Sequence, residues 1–120
     1  MLKAIIEELN KVRPCYSLET FKAQNAILDN FFIVVDIGEK EMVGRFGHYA
    51  LFVYIYTPRE SFYILKGLER EVWEHLHKKT LAKKDSEGNF WITFIKEVFK
   101  KVDRTINKQC ACLEFRIPTV

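Results

Sequence analysis

The segment from His48 to Thr57, HYALFVYIYT, limits what this chain can fold into more than any other ten residues do. Its β-branched and aromatic content reads as a strand. Alternation sets Tyr49, Leu51, Val53 and Ile55 on one face and Ala50, Phe52, Tyr54 and Tyr56 on the other. Both faces are apolar, so this strand belongs in the middle of a sheet and needs cover on both sides.

The neighbouring segments supply part of that cover. Leu2, Ile5, Ile6, Leu9 and Val12 recur at three- and four-residue spacing, one face of a helix that Pro14 ends. A second helix is expected from the Thr57-Pro58-Arg59-Glu60 start, with Thr57 capping and Pro58 at the first helical position. Its stripe Phe62, Leu65, Leu68, Val72, Trp73 and Leu76 carries it to about Lys78. Gly67 inside the stripe suggests a close approach to the sheet.

Strands are expected at Phe31–Ile37 (FFIVVDI), at Phe90–Val98 and at Cys110–Ile117, with a short one from Cys15 to Leu18. The stretches GEKEMVGRFG and KKTLAKKDSEGN read as a turn or hairpin tip and as a loop. The order is that of an α+β domain spanning 1–120, a largely antiparallel sheet of four to five strands with two helices packed on one face.

Composition removes several function classes. The chain has 120 residues, enough for one domain. The longest apolar run, Ala50–Tyr56, is far short of the about 20 residues of a membrane helix. Glu7 and Glu8 stand where a signal peptide would be apolar, so neither secretion nor membrane insertion is expected. Three cysteines, two of them as close as Cys110 and Cys112, argue against a disulfide framework and for a reducing compartment. The net charge of +3 is too small to imply nucleic-acid binding. Its excess gathers at Lys78, Lys79, Lys83 and Lys84 and along Lys96–Lys108, a pattern usual for solvated loops and strand edges.

No catalytic constellation emerges. The glycines at 38, 44 and 47 lead into a strand, not a phosphate-binding helix. His75 and His77 lie about 200° apart around a helix and cannot share a metal. Cys110 and Cys112 point to one face of a strand, yet a zinc ion would need two more ligands. His48 has no acid or nucleophile placed beside it. Glu69 and Glu71 splay apart, and Arg70 with Glu74 reads as a surface pair. The expectation is no enzyme, no cofactor and no metal.

What is left over is apolar surface. Two helices cover one face of the sheet, while Phe52, Tyr54 and Tyr56 face away, and the Phe90 strand adds Trp91 on its second side. Either residues 15–30 fold across this face, or it meets another protein. The two readings can coexist.

In element order and hydrophobic pattern the whole chain resembles the small tail-terminator or tail-completion proteins of phages and phage-like particles. The segments that carry the resemblance are IIEELNKV, FFIVVDIGE, FGHYALFVYIYTPRESFYILKGLEREVWEHL and the closing CACLEFRIP. It implies a structural protein assembled in the bacterial cytoplasm and located in a virion or tail particle. Such proteins form a homo-oligomeric ring, usually of six copies. The ring binds the end of the tail tube protein, stops tube growth, and presents a surface to the sheath, collar or head connector. No membrane and no specific nucleic acid are implied as partners.

On that resemblance Phe52, Tyr54, Tyr56 and Trp91 would face a neighbour, together with Arg45, Phe46, Lys83 and Lys84 from two stretches, Glu39–Phe46 and Lys78–Asn89, ordered by contact with tube or sheath. A cytosolic ligand-binding regulatory domain stays open, with the aromatic face as its pocket. So does a single-strand nucleic-acid binder using Phe94, Lys96, Phe99 and Lys100.

Overall fold

The computed structural model describes residues 1–23, 30–84 and 86–119. The elements in chain order are α1 (Leu2–Leu9), β1 (Cys15–Ser17), α2 (Leu18–Ala23), β2 (Phe32–Val43), β3 (Phe46–Pro58), α3 (Phe62–Leu76), β4 (Lys79–Ala82), β5 (Asn89–Asp103) and β6 (Lys108–Thr119). The strands form one sheet in the order β1-β2-β3-β6-β5-β4. Every pairing is antiparallel except that of β1 with β2. The α+β class stands, with six strands and three helices among the described residues in place of the expected four to five and two.

As its sequence demands, β3 is central, between β2 and β6. Leu51, Val53 and Ile55 sit at zero exposure beside Ile33 and Val35 of β2 and Leu113, Phe115 and Ile117 of β6. The buried stripe of α3 (Leu65, Leu68, Val72, Leu76) and that of α1 (Ala4, Ile5, Leu9) close over this face. Each of the fully buried Leu, Val, Ile and Phe side chains contributes about 1.5–3 kcal/mol by leaving water.

Four expectations give way. Thr57 and Pro58 stay in the β3 ladder, opposite Gln109 and Lys108, and Thr57 is fully buried. The chain turns there, with Ser61 N–H donating to Pro58 O, so α3 starts at Phe62 with Ser61 as its N-cap. Gly67 is exposed, with nothing near the position a Cβ would take, so it marks no approach to the sheet. Residues 39–43 lie in β2, which narrows the hairpin loop to Gly44-Arg45 with Gly44 at φ +63°, a conformation natural to glycine in a two-residue turn. Lys79–Ala82 forms a strand, reached through Lys78 at φ +58°. Its composition hides it, because this four-residue edge strand carries only Leu81 as a large apolar side chain.

Two irregularities in the β5–β6 ladder, at Ile95 and Val98, let a 15-residue strand bend along β6. A further one falls at Gly38–Glu39 in β2.

Candidate assembly surface

The second face of the sheet has two halves. Its upper half, where β3 ends, is closed by the chain itself. After β1 the chain crosses over the sheet as α2, and Phe21 comes to 5.8 Å from Phe32 and 5.5 Å from Tyr56, ring centre to ring centre. Phe32 and Tyr56 stack at 4.8 Å with an interplanar angle of 12°. Val34, Cys110, Tyr16, Leu18, Tyr54, Phe99 and Ile106 complete this small second core. Folding of residues 15–30 across the face is therefore seen for α2; residues 24–29 lie outside the described residues.

This placement sorts the eight residues singled out in the sequence. Tyr56, 7% exposed, is core in the single chain, because Phe21 and Phe32 cover it. Tyr54 is half-buried, 6.2 Å from the Phe99 ring. Phe52, one step lower, lies opposite Asp36 and Glu114, where apolar cover gives way to charge. Trp91 stays 46% exposed and Phe46 77% exposed. Arg45 is exposed at the hairpin tip. Lys84 Nζ is 3.3 Å from Glu7 on α1, which pairs that side chain within the chain, and the Lys83 backbone N–H donates to Gly88 O. Met42 and Val43 join Phe46 in an apolar tip that the sequence reading did not single out.

The fold recurs in a virion particle. A chain of the solved structure "Virion of native gene transfer agent (GTA) particle" matches this one with a TM-score of 0.67 at 14% sequence identity, over 98% of this chain and 92% of that one. At that identity the likeness is one of fold. No protein-family model and no curated protein matches the chain.

The three histidines have structural partners. His48 Nε2 is 3.2 Å from Glu41 across the hairpin. His75 Nδ1 is 3.0 Å from Glu8. His77 Nδ1 accepts from Phe94 N–H at 3.0 Å while its ring stacks on Trp73. Burial works against the Glu8 carboxylate, but hydrogen bonds from His75 and Lys11 outweigh it and hold the pKa below the ordinary glutamate value, so this charge ties α1 to α3.

The cysteines are buried and unpaired. Desolvation pushes the Cys15 and Cys110 thiols up to about 12 and Cys112 to about 11. Thiols so raised supply neither a nucleophile nor a metal-binding thiolate near neutral pH. Among the described residues no group of three or more His, Cys, Asp or Glu is placed to hold a metal, and no helix is long and apolar enough to cross a membrane.

One cluster escaped the sequence. Glu69 of α3, Glu97 of β5 and Lys100 of β5 meet where the helix crosses the sheet, with Lys100 Nζ 3.1 Å from Glu69 and 3.5 Å from Glu97. The members are distant in the chain, and only the helix crossing joins them. The interleaved Phe94, Lys96, Phe99 and Lys100 are split by the irregularities of β5. Phe94 and Lys100 stand opposite Phe115 and Ala111 on the helix side, Lys96 and Phe99 opposite Glu114 and Cys112 on the other. They form no single platform for stacked bases.

Both long outer edges are half open. β1 covers β2 only at Ile33–Val35, leaving Asp36–Val43 without a strand partner on that side among the described residues. β4 covers β5 only through Ile92, and the His77 ring takes the Phe94 N–H just beyond it, so among the described residues 95–103 have no strand partner on that side.

Proposed function

We propose that this chain is a structural protein of a phage-like particle, a tail terminator whose copies close into a ring, six in number, on the end of the tail tube. The ring stops tube growth and offers its outer surface to a collar, sheath or head connector. The observation that carries this reading is the sharing of one fold, nearly end to end, with a chain of a gene transfer agent virion. The element order and apolar patterning that resemble tail terminators point the same way.

The physical setting agrees with an assembly role. A sheet with two half-open edges and an apolar hairpin tip gains from neighbours that cover them. Closed heterologous contacts cover such edges without leading to open filaments. The histidines and thiols are taken up by structural contacts and burial, and the reading needs neither turnover nor a cofactor. Phe46, Arg45 and Trp91, with the less covered Phe52, are the residues available to a neighbour or to the tube.

The reading is tested by mixing the tagged chain with assembled tail tubes of its own particle and imaging them by negative-stain microscopy. Label at one end of each tube is expected, with end views giving the copy number. Label spread along the tubes, or absent from them, overturns the reading.

A further inference from the structure

We propose that the open edge of β5 between Phe99 and Asp103, beside the start of α3, takes an extended acidic segment of another protein as an added strand. The inference goes beyond the ring reading and does not depend on it.

The backbone of this stretch has its bonding groups turned outward. Ile92 C=O faces away from β6, where it accepts from Lys78 N–H at 2.8 Å, and Phe94 N–H faces the same way, toward His77 Nδ1. Counted along β6, this orientation recurs at every second position, which on β5 means Glu97, Lys100 and Val102. Irregularities interrupt the ladder at Ile95 and Val98, but from Phe99 to Asp103 it is regular. The N–H and C=O of Lys100 and Val102 therefore point away from β6, and among the described residues no strand takes them. A strand added here gains main-chain hydrogen bonds along a regular edge.

The side chains specify what that strand carries. The carboxylates bordering the stretch are engaged: Glu69 and Glu97 share Lys100 Nζ, and Asp103 accepts from Thr105 N–H. The cations of Lys66, Lys101 and Arg104 are exposed and have no carboxylate partner among the described residues. Lys66 belongs to α3, and its Nζ lies 5.1 Å from the centre of the Phe62 ring. Lys101 points to the opposite side of the sheet, its Nζ 4.6 Å from the centre of the Phe99 ring. An acidic side chain of the added strand thus finds a free cation whichever side it points to. A basic segment meets like charge on both. Opposite charges across a ladder stabilise it and like charges oppose it.

Apolar residues between the acids also find contacts. Phe62, Val102 and Gln109 line, with Lys100 and Lys101, a concavity of about 290 Å³ at this edge, and Phe62 and Val102 are exposed in the single chain. The segment that fits best alternates acidic and apolar residues, the pattern of a strand with two unlike faces.

The test uses the full chain and two short synthetic peptides, one alternating glutamate and valine, the other lysine and valine. In NMR titrations the glutamate peptide should bind, more weakly as salt rises. At saturation, amide exchange at Lys100 and Val102 should slow by roughly ten-fold or more. The lysine peptide should not bind. Lys66→Glu combined with Lys101→Glu changes only exposed side chains and should weaken binding of the glutamate peptide by roughly ten-fold or more. Val102→Pro removes an N–H that β6 does not use and should abolish binding; should this variant fail to fold, the charge variant decides alone. Equal binding of the two peptides, no binding of the glutamate peptide, or binding that leaves exchange at Lys100 and Val102 unchanged overturns the inference. Protection of these amides that grows with protein concentration in the absence of peptide also overturns it, because the edge then takes a second copy.

Discussion

Glu69 Oε2 lies 3.1 Å from Lys100 Nζ, while the other oxygen of the same carboxylate, Oε1, is buried and accepts no hydrogen bond. The group is thus half satisfied. Desolvation raises the Glu69 pKa, and Glu97 adds to the rise against the pull of Lys100. A carboxyl whose pKa is raised on folding favours the folded state below its ordinary value of 4.5, and that advantage is lost as pH climbs through the raised value. Glu69→Gln removes the titration and leaves Lys100 paired with Glu97. Its melting temperature relative to wild type should therefore rise between about pH 4 and pH 7. A difference that stays constant over this range would show that Glu69 titrates as an ordinary glutamate.

The second core depends on α2. Phe21 joins Phe32 and Tyr56 in one stack, and helix α2 has only six residues and no fully buried side chain. Phe21→Ala should cost about 1–3 kcal/mol in urea unfolding, less than truncation of a fully buried phenylalanine. It should also expose Tyr56, seen as increased quenching of tyrosine fluorescence. A cost within about 0.5 kcal/mol, the usual range of a surface change, would mean that α2 does not cover the sheet in solution.

All three thiols sit in the folded core, with pKa values pushed to about 11 or 12 by burial. At pH 8 a thiol reagent should modify none of them on the timescale on which it modifies a free cysteine, and all three once the chain is unfolded in urea. Rapid labelling of Cys112 in the native chain would place the β3–β6 side of the sheet in solvent.

The parts of this fold that were legible from the sequence are those where a local pattern has a local cause. The doubly apolar β3 announced a central strand, and the stripes of α1 and α3 announced the helices that cover one face. Pro58 misled, because a Thr-Pro pair suits a helix start and a strand end equally well, and only the pairing with Lys108 decides between them. β4 is too short and too polar to be seen before β5 is there to pair with it. Tyr56 was readable as apolar surface and Phe21 as an aromatic residue, but nothing local says that one covers the other. The same holds for the open edges. Which strands keep an uncovered stretch shows only once the strand order is set.

The central claim is that the chain ends a growing tube, and tube growth measures this directly. Purified tube protein is set to polymerise from short seeds while the chain is added in amounts from one ring per seed end downwards, and tube lengths are read by microscopy. The account predicts that growth stops at the capped end at about one ring per end. Tubes that elongate at the same rate with a full ring's worth of wild-type chain on every end would contradict it.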